Sequence, residues 1–384
     1  MQHELVIDKQ ENLSWITGNN NGLLDSHYKK LRFVDLFSGC GGLSLGIIKA
    51  AQLNGCPASC VLAVDSNFAP LEVYKDNIPF EEGSVLATNI LDIFKVSSSL
   101  DLSKDEFELS RRVGPIDILV AGPPCQGHSD LNNSTRRNDP RNKLYLSCIR
   151  AVELLRPQLV IIENVPSVIH SSEGVVQVTE EKLIEHGYKV KHLNINFLDL
   201  GLPQTRKRHI LIASKDHGFC NSISIASASY QRPTLRDFIS DIKKGPGLMY
   251  KSGKLSDENL QRLDVLFTND LYDLPNEYRP PCHRDKRHSY KSVYGRLHWD
   301  KPAQTLTSGY GSMGQGRYIH PSEKRTLNSR EAARIQGFPD NFSFSRVSKL
   351  TDLREMIANA VPPQLTYKLT DLFLKLNSCK KLKS

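Results

Sequence analysis

Two reactive side chains stand where apolar runs break off. Ile116-Asp117-Ile118-Leu119-Val120 reads as a buried parallel strand, and Ala121-Gly122-Pro123-Pro124-Cys125-Gln126-Gly127-His128-Ser129 follows it. A strand that runs into Gly-Pro-Pro cannot continue, because proline lacks an N–H donor and stiffens the backbone. Cys125 therefore sits on a rigid turn at the carboxyl end of a central strand, where open α/β sheets bind ligands. A thiol placed there can act as a nucleophile. A cysteine taken alone is more often a small buried hydrophobe. The loop at 130–142 argues for chemistry: it holds Asn132, Asn133, Ser134, Arg136, Arg137 and Arg141 and almost nothing apolar, as a lid over a site would. The run Gln158-Leu159-Val160-Ile161-Ile162 ends in Glu163-Asn164-Val165-Pro166-Ser167, which puts a carboxyl group at a second strand's carboxyl end. Arg206 and Arg208 alternate ahead of a strand at 209–213, so in extended chain they point the same way and suit phosphate or carboxylate recognition.

The elements that must position these groups read as a βα series. Leu31-Arg32-Phe33-Val34-Asp35-Leu36-Phe37 is a first core strand, followed by Ser38-Gly39-Cys40-Gly41-Gly42 and a helical pattern through Leu43, Leu45, Ile47 and Ile48. Strand, glycine loop and helix make a nucleotide-binding arrangement. Counting from Gly39, a dinucleotide fingerprint would need glycine where Ser44 stands, and no Gly-Lys-Ser/Thr is present. A second strand at 60–64 ends in Asp65, where a ribose hydroxyl pair is usually held. The glycine loop and Asp65 together suggest an adenosine-type ligand without a pyrophosphate. A helix at 71–77, a strand at 85–88 and Asn89-Ile90 come next, and 97–112 reads as an insertion or surface connection. Leu144, Ile149, Val152, Leu154 and Leu155 form a helical stripe ended by Arg156-Pro157; a helix at 174–186 and a strand at 188–197 follow. The rhythm stops near Ser214. From there to Trp299 the chain is turn-rich and carries Arg279, His283, Arg284, Lys286, Arg287, His288 and Lys291 among Tyr278 and Tyr290, a basic loop-built surface. Ser329 caps a short helix stopped by Gly337, and a final helix at 351–376 is interrupted by Asn359-Ala360-Val361-Pro362-Pro363. Residues 1–30 read as a peripheral extension.

A length of 384 residues allows one large domain and a smaller one. With 39% hydrophobic and 24% charged residues, the composition is that of a soluble globular protein. No apolar run approaches membrane-spanning length, and Leu5-Val6-Ile7 is too short for a signal-peptide core. The eight cysteines include no C-x-x-C pair, and Cys56 and Cys60 lack a second pair, so no metal site is expected. Dispersed cysteines fit a reducing, cytoplasmic setting. A net charge of +8 favours a polyanionic partner.

Six motifs then occur in order: Phe37-x-Gly39-x-Gly41, Pro123-Pro124-Cys125-Gln126, Glu163-Asn164-Val165, Gln204-x-Arg206-x-Arg208, Arg330-x-x-x-Arg334-x-Gln336-Gly337-Phe338-Pro339 and Asn359-Ala360-Val361-Pro362. Over 31–376, with a variable gap at 215–300, the chain resembles the DNA (cytosine-5) methyltransferases of prokaryotic, restriction–modification or orphan type. The resemblance implies an α/β fold: a doubly wound, mostly parallel, Rossmann-like sheet with a smaller irregular target-recognition domain. It implies an N-terminal extension at 1–30, a catalytic and cofactor-binding domain at 31–214, a target-recognition domain with hinge at 215–345 and a C-terminal helix at 346–384. The implied reaction moves a methyl group from S-adenosylmethionine to carbon 5 of a flipped-out cytosine in a specific duplex sequence, with S-adenosylhomocysteine as product. Cys125, Glu163, Arg206 and Arg208 would be catalytic. Phe37, Ser38, Gly39, Cys40, Gly41, Gly42, Asp65, Ser66, Asn89, Ile90, Pro123, Leu144, Asn359, Ala360 and Val361 would hold the cofactor. Gln126, Ser129, Arg141, Asn164 and Thr305 would contact the DNA substrate. The family often has Glu in place of Asp65 and Asp in place of Asn89; the first should still reach, and the second weakens the adenine contact. The implied partners are duplex DNA and a cognate restriction endonuclease, with the protein acting as a monomer and without a membrane. The alternatives are a tRNA cytosine-5 methyltransferase on the same scaffold, whose Cys-Phe-Thr signature is missing since His283 follows Cys282, and an inactive DNA-binding homologue, which would have lost Cys125 or Glu163.

Overall fold

The computed structural model describes residues 3–5, 7, 9–17, 29–95, 103–124, 142–170, 174–224, 232–285 and 292–381. Strands β1 (Leu31–Leu36), β2 (Ala58–Asp65), β3 (Val85–Ala87), β4 (Ile118–Ala121), β5 (Leu159–Asn164), β6 (Lys189–Asn196) and β7 (Lys207–Ser214) form one seven-stranded sheet in the order β3-β2-β1-β4-β5-β7-β6. The pairs from β3 to β5 are parallel, and β7 runs antiparallel to both β5 and β6. β4 and β5 are buried at every residue, which is why they read as unbroken apolar runs rather than alternating ones. The order reverses between β1 and β4, and the crevice this opens lies outside the carboxyl ends of the strands.

Helices cover both faces. On one lie α1 (Lys9–Thr17), α2 (Gly42–Leu53), α3 (Phe68–Asn77), and, near the C-terminus, α8 (Ser329–Ile335), α9 (Leu350–Asn359) and α10 (Pro363–Lys381); on the other lie α4 (Lys104–Val113), α5 (Asn142–Leu155) and α6 (Val175–Glu185). α10 packs along α2 at close range. A side chain at Gly46 would place its Cβ 2.0 Å from the Pro363 carbonyl oxygen, and Thr366 Oγ1 donates to the Leu43 carbonyl at 2.6 Å. The final helical stretch is thus broken at Ala360-Val361-Pro362 so that the break lies over the glycine loop and α10 over α2.

Three local readings change. The stretch at 97–112 contains α4, opened by a capping box in which Ser103 and Glu106 satisfy each other's backbone N–H groups. Its Glu106 is buried against Arg150 of α5 at 2.7 and 2.9 Å, and that guanidinium holds the carboxyl down at about 2. The cap of α8 is Asn328, in a capping box with Glu331, whereas Ser329 is the first helical residue and its hydroxyl meets the Tyr310 hydroxyl at 2.9 Å. The described part of 1–30 is not peripheral. Trp15 and Ile16 are buried, Trp15 Nε1 donates to the Gly337 carbonyl at 3.1 Å, and Asn12 Nδ2 donates to the Leu200 carbonyl at 2.6 Å.

Between residues 215 and 345, a small separate core forms from Leu263 and Leu266 of α7 (Asp257–Thr268), with Leu274, Val293, Tyr294, Met313 and Ile319. Arg296 lies over the rings of Phe267 and Tyr272 beside it. Phe219, Leu235, Phe238, Leu306, Leu327 and Phe338 of the same stretch join the large core instead. The stretch is tied to the chain ahead of β7 where Ala303 exchanges backbone bonds with Pro203 and Thr205 at 2.8 and 2.9 Å. There the Gln204 side chain accepts from Leu306 N at 2.9 Å and donates to Gln336 Oε1 at 2.8 Å.

Candidate active site

A cleft of about 480 Å³ opens at the carboxyl ends of β1, β2, β4 and β5, within the size range of small-ligand sites. Its first wall is the turn after β1. Phe37 has φ of 57°, a strained value for an aromatic residue, and Gly41 has φ of 93°, which glycine adopts without cost. Gly41 also rests on α3: a Cβ there would come 2.9 Å from Tyr74 Cδ2 and from Ile78 Cγ1. Asp65, at the end of β2, accepts from Gly39 N at 2.9 Å through Oδ2 and from Asn67 N at 2.8 Å through Oδ1. Each oxygen keeps a further lone pair for a ligand hydroxyl. Burial pushes the Cys40 thiol up to about 12, so it is no rival to Cys125 as a nucleophile.

Opposite stands the polar end of the cleft. Glu163 and Arg208 form an ion pair at 2.5 Å between Oε1 and Nε, with both side chains largely buried and both lining the cleft. β5 and β7 bring them together because they pair antiparallel, with Glu163 opposite Ile210 and Asn164 opposite His209. Gly122 lies between the two walls, since a Cβ there would be 3.9 Å from Glu163 Oε2 and from Val361 Cγ2. Arg206 is buried and lines the cleft, yet its Nη1 donates to the Ala358 carbonyl at 2.6 Å and the Leu306 carbonyl at 3.3 Å. It therefore ties the strand carrying Arg208 to the end of α9.

The cleft brings together Phe37, Ser38, Gly39, Cys40, Gly42, Asp65, Ser66, Pro123, Glu163, Arg206, Arg208, Asn359, Ala360 and Val361. Other expected residues stand beside it. Asn89 caps the short helix Ile90–Ile93 by accepting from Leu91 N at 3.0 Å, Ile90 is buried and Leu144 packs on the core. Asn164 donates to the Pro123 carbonyl at 3.3 Å and so braces the turn that leads to Cys125, while the Thr305 carbonyl accepts from the Tyr318 hydroxyl at 3.0 Å. Cys125, Gln126, Ser129 and Arg141 lie outside the described residues, although Pro124 lines the cleft and the next residue is Cys125. Asp352, Glu355 and Met356 also line it and were not anticipated. Their signal was the helical spacing 352, 355, 356, 359, which puts them on the face that presents Asn359.

The family described as C-5 cytosine-specific DNA methylase matches residues 31–375. The chain is 41% identical to the type II methyltransferase M1.BsuMI of Bacillus subtilis over 93% of its own length and 83% of that protein's. It is 30% identical to the type II methyltransferase M1.HphI of Haemophilus parahaemolyticus over 91% and 88%. Among solved structures it resembles a putative DNA modification methyltransferase encoded within an Escherichia coli prophage, with a TM-score of 0.58 and 23% identity over 91% of this chain and 99% of that one. The Entamoeba histolytica methyltransferase EhMeth gives a TM-score of 0.60 at 18% identity over 91% and 99%. These likenesses support the Rossmann-like methyltransferase fold read from the sheet order. With the family matched over most of its length and relatives at these identities, the chain belongs to the C-5 cytosine-specific DNA methylases and is a methyltransferase of that family.

Proposed function

We propose that the protein transfers a methyl group from S-adenosylmethionine to carbon 5 of a flipped-out cytosine in a specific duplex DNA sequence, through a covalent adduct at Cys125. The observation that carries this reading is the Glu163–Arg208 pair in the same cleft as the glycine loop and Asp65. The residues fit an adenosyl cofactor. Asp65 suits ribose hydroxyls, and the backbone at Gly39 faces open space, with nothing within 4 Å of where a Cβ would stand. Asn359, Ala360 and Val361 would close the pocket from the other side. When bound, S-adenosylmethionine supplies the methyl group that carbon 5 receives.

The chain's own residues do the rest. The Cys125 thiolate adds to carbon 6 of the cytosine, which makes carbon 5 electron-rich. Glu163, carrying a proton, donates it to ring nitrogen 3 as the thiolate adds and accepts from the amino group, so the negative charge formed by addition is neutralised there. Arg208 orients the Glu163 carboxyl group and assists at the cytosine carbonyl, and Arg206 keeps that strand in register with α9. Water then takes the carbon-5 proton, Glu163 takes back the proton of ring nitrogen 3, and the electron pair left at carbon 5 expels the Cys125 thiolate. Phosphate contacts supply affinity, and side chains of 215–300 read the bases. The type II names of the relatives support a DNA substrate and a restriction endonuclease acting on the same sequence as partner. The test uses a mixed-sequence duplex with 5-fluorocytosine in place of cytosine. Fluorine leaves no carbon-5 proton to lose, so a denaturant-resistant protein–DNA adduct should accumulate only with S-adenosylmethionine present. No adduct on duplexes whose unfluorinated counterparts are methylated would refute the covalent route.

A further inference from the structure

Arg354, on α9, carries a guanidinium that no acceptor engages. Its Nε and Nη2 are buried without a hydrogen-bond partner, and no ion pair reaches it among the described residues. Those two nitrogens form one edge of the planar fork, the edge that grips a carboxylate or phosphate with two parallel bonds. Arg150, Arg236 and Arg334 use the same edge on Glu106, Asp300 and Asp340, at distances between 2.7 and 3.1 Å. In Arg354 two glycines cover that edge instead. A Cβ at Gly311 would stand 2.4 Å from both Nε and Nη2, and one at Gly253 would stand 3.3 Å from Nη2. The residue is only partly buried, so the guanidinium still meets solvent through its third nitrogen, Nη1. A cation stripped of water along one edge and left unpaired is costly in the free protein. Asp352 and Glu355 stand on the same helix, yet they line the cleft and do not pair with it.

We propose that Arg354, together with Lys251 and Lys254, holds the phosphate backbone of the substrate duplex where α9 meets the glycine segments at 253 and 311. The proposal rests on the reading of duplex DNA as substrate. Lys251 and Lys254 flank Gly253, both are exposed, and no acidic side chain pairs with either among the described residues. With Arg354 they set three uncompensated positive charges around one glycine, which suits a run of phosphates better than a single carboxylate. Gly253 and Gly311 present no side chain, so a nucleic-acid backbone can lie close over the guanidinium. The same helix lines the cleft with Asp352, Glu355 and Met356, so a strand gripped at Arg354 passes beside the cleft. An anion seated there offsets the desolvation that the free protein carries. The contact holds no base information, so it supplies affinity and register on the duplex and not sequence choice.

The test measures binding of a fluorescently labelled mixed-sequence duplex by anisotropy, from roughly 0.05 to 0.25 M salt, in the full-length protein, in Arg354→Met and in Arg354→Lys. The plot of log Kd against log salt should lose about one unit of slope in Arg354→Met and keep its slope in Arg354→Lys. At 0.1 M salt the lost contact should weaken Kd roughly eightfold, and by the same factor on every duplex sequence. Affinity for S-adenosylmethionine should not change. An unchanged slope in Arg354→Met overturns the site, because a residue that only packs the glycine segments alters stability and not counterion release. If Arg354→Met does not fold, the exposed pair Lys251→Gln and Lys254→Gln decides. Together these should lower the slope by about two, and an unchanged slope there overturns the site. Either result leaves the DNA reading standing so long as the unmodified protein binds the duplex. Failure of the unmodified protein to bind duplex DNA at any salt overturns that reading and the Arg354 site together.

Discussion

Gly46→Ala should destabilise the protein, although the same change in an isolated helix would stabilise it. Alanine gains about 1 kcal/mol over glycine in a helix interior. Here the new methyl would stand 2.0 Å from the Pro363 carbonyl oxygen and 2.1 Å from Thr366 Oγ1. A carbon–oxygen contact relaxes to roughly 3.3 Å, so α10 must move off α2 by about 1 Å. Overpacking of that kind costs about 1–3 kcal/mol or more, and loss of the Thr366–Leu43 bond adds about 0.5–1.5 kcal/mol. The net loss is on the order of 2 kcal/mol. Denaturant unfolding should show a lower midpoint at an unchanged slope. The same shift carries Val361 away from Gly42, where a Cβ would lie 2.3 Å from the Val361 carbonyl oxygen, so cofactor affinity should fall with stability. A midpoint equal to or above that of the unmodified protein would refute the claim that this glycine exists for helix approach.

Glu163→Gln should lower the rate of methyl transfer in single turnover by roughly 100- to 1,000-fold while leaving cofactor affinity within about twofold, because the acid that protonates ring nitrogen 3 is lost while the cofactor contacts remain. Arg150→Met should cost about 3–5 kcal/mol in denaturant unfolding at neutral pH, since it strands the Glu106 carboxylate in the core. The stabilisation from Glu106 should be complete above its ordinary value of 4.5 and fade as pH falls through about 2. Asp35, fully buried in β1, has the opposite sign. Its folded value of about 7 against an ordinary 3.8 means that stability should decline as pH rises between these values, by a few kcal/mol at most, and Asp35→Asn should lack that slope.

The parts of the fold legible in the sequence were those set by local chemistry. Unbroken apolar runs marked β1, β4 and β5, and the Gly-Pro-Pro after β4 and the glycines after β1 marked where they stop, so the groups at their ends could be placed directly. Arg206 and Arg208 were a period-two pair, and both line the cleft. What the sequence hid depends on distant partners. Arg206 read as a support of the site or a ligand of phosphate or carboxylate, and the carbonyls of Leu306 and Ala358 that it engages lie too far along the chain for the sequence to name. The extension at 1–30 looked peripheral because α1 has a weak apolar pattern, and Trp15 finds its partner at Gly337. α4 was overlooked although Ser103 and Glu106 carry a capping box, because its surface is mostly charged. A buried chain of hydrogen bonds from Asp35 through Ser44 to Tyr74 has no sequence signature, since its residues converge only when α2 and α3 pack on β1.

The most direct test of the central claim is transfer of labelled methyl from S-adenosylmethionine to mixed-sequence duplex DNA, with tRNA in parallel and a Cys125→Ser protein as control. The account predicts label at carbon 5 of cytosine in DNA, absent from tRNA and abolished in the variant even though it still binds the cofactor. Label on tRNA alone, or label on DNA that persists in Cys125→Ser, would contradict it.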